Sequence, residues 1–413
     1  MTPRAQAAPG TPPAASASIV PSAVVYLLLF GAVGCWSAYA TVLFADQGLD
    51  LATIGLLASV PSAVAIVGAP TWGLIADRLG DVRPPLLAAA LWGATAATLL
   101  ALQPPIPWVI LVVMLLAGGT SGLTPLVDSR TVERLGRARD RFGQARAFGS
   151  LGFILTTIAV GALVQARGTA AMLVPYVATL AATGIVGAAF LGRGTRQARA
   201  AGVGPLGALR LLRDPGMGLF FVGSIAVWTA SSGVMAFFSL RLIELGADSR
   251  LVGLGWAANA VLEIPTMLAF RRIVGRVRLP WLLVAGSGVF ALRALVFTAS
   301  GDPTGMIVAA ALGGVGFALF LVGTTTWIAR QAPVHLQATA QALFSSTAYA
   351  VGAITGAIVA GQIAGRWGLE ALFPVATVAS IVGCVLIWLA VVRRSPASVV
   401  GRESATAVRS DAA

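Results

Sequence analysis

Two acids and two arginines stand where an apolar chain would least tolerate them. In the stretch Pro125–Phe153, Asp128 closes one apolar segment and Arg146 opens the next. Glu263 and Arg293 lie inside apolar segments of the second half of the chain. Charges at or within a bilayer span are costly unless paired or solvated, so such positions are read first as functional. A carboxylate and a forked guanidinium can together satisfy several donors and acceptors of a polar solute. A carboxylate whose arginine neighbour moves can also gain or lose a proton, because desolvation and a nearby cation act on it in opposite senses. The four residues therefore point to solute binding and proton movement. Two structural readings stand beside these: Asp128–Arg146 as an ion pair ordering a basic loop, and Glu263–Arg293 as a pair locking two helices.

The elements that must position them are membrane helices. Hydrophobic residues make up 57% of the 413 and charged residues only 10%, with too little charge for a soluble surface. Mean hydropathy is +0.88. Twelve apolar segments, each long enough to cross a hydrocarbon core, fall near 22–45, 51–76, 84–102, 108–127, 146–166, 170–191, 217–240, 251–270, 280–299, 305–328, 338–362 and 371–392. The net charge of +13 comes entirely from arginine, since the chain has no lysine. With both termini cytoplasmic, 23 arginines fall on the inner side, and only Arg167, Arg241, Arg250 and Arg366 fall outside. That asymmetry predicts a multi-pass protein of the cytoplasmic membrane and makes the positive charge topological rather than a nucleic-acid footprint. In this frame Glu263 lies roughly 12 Å from the cytoplasmic end of its segment and Arg293 roughly 20 Å into its own.

The chain divides into an Ala/Pro/Ser-rich cytoplasmic arm at 1–20 read as disordered, a six-helix bundle at 21–192, a cytoplasmic connector at 193–215, a second six-helix bundle at 216–393 and a cytoplasmic tail at 394–413. An internal echo at an offset of about 195 supports two pseudo-repeats. Val82-Arg83-Pro84-Pro85-Leu86-Leu87 returns near Val277–Leu283, and Gln144-Ala145 returns as Gln341-Ala342. Two such halves imply rocking about a central site.

The loop Gly73-Leu-Ile-Ala-Asp77-Arg78-Leu79-Gly80-Asp81-Val82-Arg83 resembles motif A of the major facilitator superfamily. The resemblance implies the all-α major facilitator fold, twelve transmembrane helices in two six-helix halves, a monomer, and a conformational latch formed by Gly73, Asp77, Arg78, Gly80 and Arg83. Asp77 would favour the positive end of a facing helix while the glycines permit close packing. Asp81 stands where the family has a basic residue, which weakens that latch. Phe142–Phe153 and Pro125-Leu126-Val127-Asp128 look like the fifth and fourth helices of lactose permease and its relatives. In those relatives an acid and an arginine at this separation contact the substrate, which makes Asp128 and Arg146 substrate-binding candidates by resemblance.

Three departures argue against a lactose permease proper. Phe153 replaces the aromatic platform's tryptophan, Gly313 and Gly316 occupy the places of the proton-relay histidine and acid, and the single histidine, His335, lies in a loop. The eighth segment, Trp256 to Glu263, with Arg293 in the ninth, is more similar to the branch containing 3-phenylpropionate transporters and nucleoside–proton symporters. That similarity implies proton coupling through Glu263 and Arg293. Trp36 and Tyr39, three apart on one helical face, could stack on a planar substrate, and Asn259 lies one turn before Glu263.

The expected function is thus proton-coupled import of a small polar or aromatic metabolite by alternating access. The alternative is a proton-coupled efflux antiporter, which the absence of a Gly-Pro pair in the fifth segment disfavours. No nucleophile–base constellation, metal-ligand cluster or phosphate-cradling loop is present, so an enzyme, a cofactor and a metal site are not expected. Cys35 and Cys384 lie inside apolar segments as inert thiols.

Overall fold

The computed structural model describes residues 18–192, 214–274, 276–332 and 336–392. Most of the expected terminal arm (1–17 of 1–20), the tail, nearly all of the connector, and His335 lie outside the described residues, and helix already begins at Val20. Twelve helices are long and apolar enough to cross a membrane. They are α1 (Val20–Asp46), α2 (Leu51–Leu79), α3 (Arg83–Ala101), α4 (Ile106–Leu135), α5 (Phe142–Arg167) and α6 (Thr169–Phe190) in the first half. The second half holds α7 (Pro215–Glu244), α8 (Ser249–Phe270), α9 (Leu279–Ala299), α10 (Pro303–Gln331), α11 (Thr339–Trp367) and α12 (Leu369–Val391). Helix is what such sequences must form, because hydrocarbon offers no partner for a free backbone amide or carbonyl.

The six-plus-six repeat is visible in the packing. In the first bundle α1 lies against α5 and α6, and α3 against α4 and α6. The second bundle repeats each pairing: α7 against α11 and α12, and α9 against α10 and α12. Between bundles the main contacts are α2 with α11 and α5 with α8, again a symmetric pair, with α1 also touching α7 and α8. The loops differ from expectation in one useful way. The basic segment between Asp128 and Arg146 is mostly helical, since α4 runs on to Leu135 and α5 begins at Phe142. Only a short 3-10 turn, Gly136–Arg141, separates them.

Two helices break near their candidate acids. In α4 the helix turns at Ser121–Gly122, one turn before Pro125. In α8 it breaks at Leu262, just before Glu263 and Pro265. Proline has no amide to donate to the carbonyl one turn back, which accounts for both kinks. A π-type segment, Ser345–Val351, widens α11 at mid-span.

The bundles are joined at one end. We call the end where α1 starts and α12 finishes the near end, and the opposite one the far end. Three hydrogen bonds cross between the bundles among the described residues. Tyr39 Oη donates to Ser249 O at 3.0 Å, Ser239 Oγ to Ala38 O at 2.7 Å, and Ser249 N to Gln165 Oε1 at 3.0 Å. All lie in the far half. There too α2 meets α11 with no side chain between them: a Cβ on Gly55 would come 2.5 Å from Ala357 O. Likewise a Cβ on Gly253 of α8 would collide with Thr157 O of α5. Backbone cannot yield as a side-chain tip can, so bulk at Gly253 should wedge the far end open. In a Cys35→Ala, Cys384→Ala background carrying Ser249→Cys, adding Gly253→Val should raise the rate of maleimide labelling several-fold. An unchanged rate would show that the close approach does not hold this end shut.

Candidate functional site

Asp128 sits inside α4, past its kink, rather than at the edge of a span. Tyr26 of α1 donates its hydroxyl to Asp128 Oδ1 at 2.5 Å, and one turn away Thr131 Oγ1 donates to Ser22 Oγ at 3.1 Å. Arg146 lies in the first turns of α5. Its guanidinium stacks over Phe30 at 3.7 Å from the ring centroid and lies 5.7 Å from that of Tyr26. Gly149, one turn on, leaves room for this, because a Cβ there would come 2.8 Å from the Phe30 ring. Asp128 and Arg146 are therefore neighbours on a shared α1 face, but they form no direct ion pair. Arg146 stands beside the Tyr26 ring that binds Asp128, and its helix α5 is the one that packs against α8, which carries Glu263.

Glu263 begins the lower half of α8 immediately after the break, half-buried. The α10 backbone presses against this kink: a Cβ on Gly314 would lie 2.7 Å from both Asn259 O and Glu263 N. The ion pair envisaged between Glu263 and Arg293 is not formed here. Arg293 is 3% exposed and turns instead to Ser231 Oγ at 2.8 Å and Asn259 Oδ1 at 3.2 Å. Phe290 and Phe297 flank its guanidinium at 5.2 and 5.8 Å. Its Nε has no partner. Gly313 is what makes space, since any side chain there would strike Asn259 and Arg293. Asn259 is accordingly a ligand of Arg293 in this conformation.

The aromatics divide. Trp36 stacks on Tyr176 at 5.3 Å and faces open space. Tyr39 does not share that role: it is 1% exposed, and its hydroxyl serves Thr157 O and Ser249 O at the bundle interface. A three-residue step rotates it far enough to leave the cavity wall. Phe153 is half-buried with its centroid 6.2 Å from that of Trp256, so the α5 aromatic meets an α8 aromatic across the interface.

Two cavities of about 290 Å³ each meet at Trp36, Ser37 and Pro61. The central one lies between the bundles, bounded by α1, α2, α7, α8 and α11 and walled by Trp36 and Trp256. The side one extends into the first bundle between α1, α4 and α6, past Thr124 and Tyr176. None of Asp128, Arg146, Glu263 or Arg293 lines either; the first three lie toward the near end from them.

The latch loop is at the near end. Gly80, with φ +64°, ends α2 in the left-handed conformation that glycine adopts freely. Asp77 and Arg78 are exposed. Asp81 is bound within its own loop, accepting from Arg83 Nε at 3.0 Å and Nη2 at 2.8 Å. Nothing lies within 4 Å of a Cβ on Gly73, so no helix is seated against that glycine in this conformation.

A family model, MFS_1 like family, matches residues 20–375. The chain belongs to that family. It is a membrane transporter of the major facilitator type and not an enzyme. Among curated relatives, the maltose permease of Geobacillus stearothermophilus is 28% identical over 371 residues, covering 88% of this chain and 92% of that protein. An uncharacterized transporter of Bacillus subtilis, YwbF, is 24% identical over 73% of this chain and 75% of its own length. Among solved structures, the nucleoside transporter NupG superposes with a TM-score of 0.80 at 18% identity, covering 90% of this chain and 98% of that one. A bacterial homologue of the human lysosomal transporter Spinster, inward-facing and unoccupied, has a TM-score of 0.69 at 16% identity over 90% and 96% of the two chains. These structural likenesses establish the fold.

Tyr26, Phe30, Ser231 and Trp256 belong to the site's supports but carry no charge that would mark them in a sequence. Only the positions of Tyr26 and Phe30, one turn apart on an apolar helix, hint at a shared face. Ser231 provides one of two hydrogen bonds to a buried cation. Ser231→Ala should therefore cost about 1.5–3 kcal/mol, the range for a bond to a charged group. The readout is a lowered midpoint of thermal unfolding in detergent; a shift no larger than for Ser232→Ala would contradict it.

Proposed function

We propose that the protein imports a small polar or aromatic solute together with protons, by alternating access across the cytoplasmic membrane. The observation that supports this reading is the position of Arg146, a single guanidinium beside the Tyr26 that binds Asp128 and on the helix that packs against α8, where Glu263 lies. One cation cannot neutralise both acids at once. When the bundles rock, Arg146 leaves one carboxylate behind, and an unaccompanied charge in a dry interior is costly. That carboxylate carries a proton for as long as it stays without its partner. Proton binding and bundle movement are thereby tied together. Glu263, held beside a helix break and a glycine contact, is assigned as the coupling acid, and Asp128, anchored by Tyr26, as the acid of the solute side.

Arg293 has a different part in this scheme. Bound by Ser231 and Asn259, it holds α7, α8 and α9 together near the coupling acid and is available to it when α8 shifts. Phe153, two turns along α5 from Arg146, meets Trp256 across the bundle interface. The arginine bias supports putting both termini and the near end on the cytoplasmic side, and on that reading the far-end closure corresponds to a state sealed from outside. The two bundles work as a monomer. The permease and nucleoside transporter among the similar proteins favour uptake of a hydroxyl-bearing solute over drug efflux.

Vesicles reconstituted with the protein and given an imposed pH gradient test this directly. Solute should accumulate on the side to which protons run. Glu263→Gln should abolish that accumulation while leaving solute exchange at zero gradient within about threefold of wild type. Accumulation that persists in Glu263→Gln sinks the coupling role, and solute leaving against the proton flow would instead establish an antiporter.

A further inference from the structure

One hydroxyl in the far-end closure has an alternative partner. Hydroxyls in membrane helices ordinarily donate back to a carbonyl in the preceding turn, as Thr95, Thr98, Thr266 and Ser287 do here. Ser239 of α7, 1% exposed, instead donates across the bundle interface to Ala38 O of α1 at 2.7 Å. The same hydroxyl oxygen accepts from Trp256 Nε1 of α8 at 2.8 Å. A serine hydroxyl has one proton and two lone pairs, whereas an indole nitrogen only donates. With Trp256 filling one lone pair, the Ser239 proton points away from the indole, and Ala38 O receives it. Each bond in such a chain also polarises and strengthens the next.

The indole is itself positioned from both bundles. Phe153 of α5 lies 6.2 Å from it between ring centroids, and Phe238 of α7 lies 6.0 Å away. The contacts thus form a circuit, from Phe153 of the first bundle to Trp256 and Ser239 of the second, and back to Ala38 of the first. Trp256 is half-buried and lines the central cavity, while Ser239 and Ala38 are buried behind it.

We propose that Ser239 is a two-position switch that makes closure of the far end depend on the Trp256 indole. With the indole N–H on Ser239, the hydroxyl is committed to Ala38 O and ties the bundles together. When the indole turns, its donation is lost and the hydroxyl falls back on its own helix, where the carbonyls of Met235 and Ala236 precede it by one turn. The bond between bundles is then broken from within the second bundle alone. A ring that borders the cavity and a seal that lies behind it are joined through one oxygen, so a movement in the cavity reaches the far end. Ser239 is a positioning residue in this scheme. The inference rests on the transporter reading, in which the bundles rock, but not on proton coupling or on the identity of the solute.

The test uses purified full-length protein without solute or pH gradient, and follows maleimide labelling of Ser249→Cys in the Cys35→Ala, Cys384→Ala background. Ser239→Ala and Trp256→Phe should each raise the labelling rate about 3- to 10-fold, the range for one neutral hydrogen bond. Trp256→Phe keeps an aromatic ring and removes the N–H. Because both act through one bond, the double variant should label within about twofold of the faster single variant, whereas independent effects would multiply. Ser287→Ala removes a buried hydroxyl whose bonds go to its own helix, and should stay within about twofold of the background. That comparison separates a switch from general loosening. If Ser239→Ala does not fold, Trp256→Phe against Ser287→Ala decides the matter alone. The proposal is overturned if Ser239→Ala or Trp256→Phe labels like the background, if Ser287→Ala labels as fast as either, or if the two effects multiply. Labelling without a gradient is blind to coupling, so solute accumulation that persists in Glu263→Gln would leave this result standing.

Discussion

A bilayer interior supplies no hydrogen-bond partners, and that scarcity governs where every polar group in this protein can stand. The backbone answers by forming helices throughout the described spans. The few charged side chains answer by gathering. Arg146 lies on the rings of Phe30 and Tyr26, Asp128 takes the Tyr26 hydroxyl, and Arg293 takes Ser231 and Asn259. Each of these three charges is held by neutral neighbours rather than by a direct opposite charge. A fully matched ion pair in a dry core is hard to open, because breaking it strands two charges. Charges held by dipoles and aromatic faces can change company at lower cost, which is what a cycling transporter requires.

The same scarcity shapes the contacts between the bundles. With lipid as apolar as leucine, helices associate through close packing and small residues. Gly55 against Ala357 and Gly253 against Thr157 let backbones touch at the far end, and Tyr39 and Ser239 add hydroxyls that reach carbonyls of the opposite bundle. Carbonyls already engaged in helices lose little when such extra bonds break. The closed end is therefore tight but reversible, and the two pairs α2–α11 and α5–α8 share the task symmetrically.

Much of the fold was legible because membrane length and hydropathy leave few choices. Twelve spans, two halves and the arginine asymmetry all follow from residue type along the chain. The charged candidates were legible too, since Asp128, Arg146, Glu263 and Arg293 are conspicuous in an apolar sequence. Their partners were not. Pairing depends on helix rotation, and a rotation of one residue moves a side chain by 100°. Glu263 and Arg293 looked like partners on adjacent helices, yet Gly313 opens a pocket that draws Arg293 to Asn259. Tyr39 looked like a companion of Trp36, yet it faces the interface. The break in α8 ahead of Pro265 resets the rotation of everything after it, which no helical wheel drawn through Trp256–Glu263 would include.

Neutral residues were the least legible of all, and they change the picture of the site most. Ser37, Thr41, Ser232 and Thr124 are ordinary residues in a membrane helix until their hydroxyls are seen to lack the usual backbone bond. A conformation that leaves four hydroxyls unused around one space gives up several hydrogen bonds that the helices themselves could have made. Such a cost persists in a folded chain when a ligand returns the bonds. Because Ser37 and Thr41 belong to one bundle and Ser232 to the other, a bound solute would be gripped from both sides at once. Its bonds would then bridge the two bundles, with Arg146 placed deeper toward the near end.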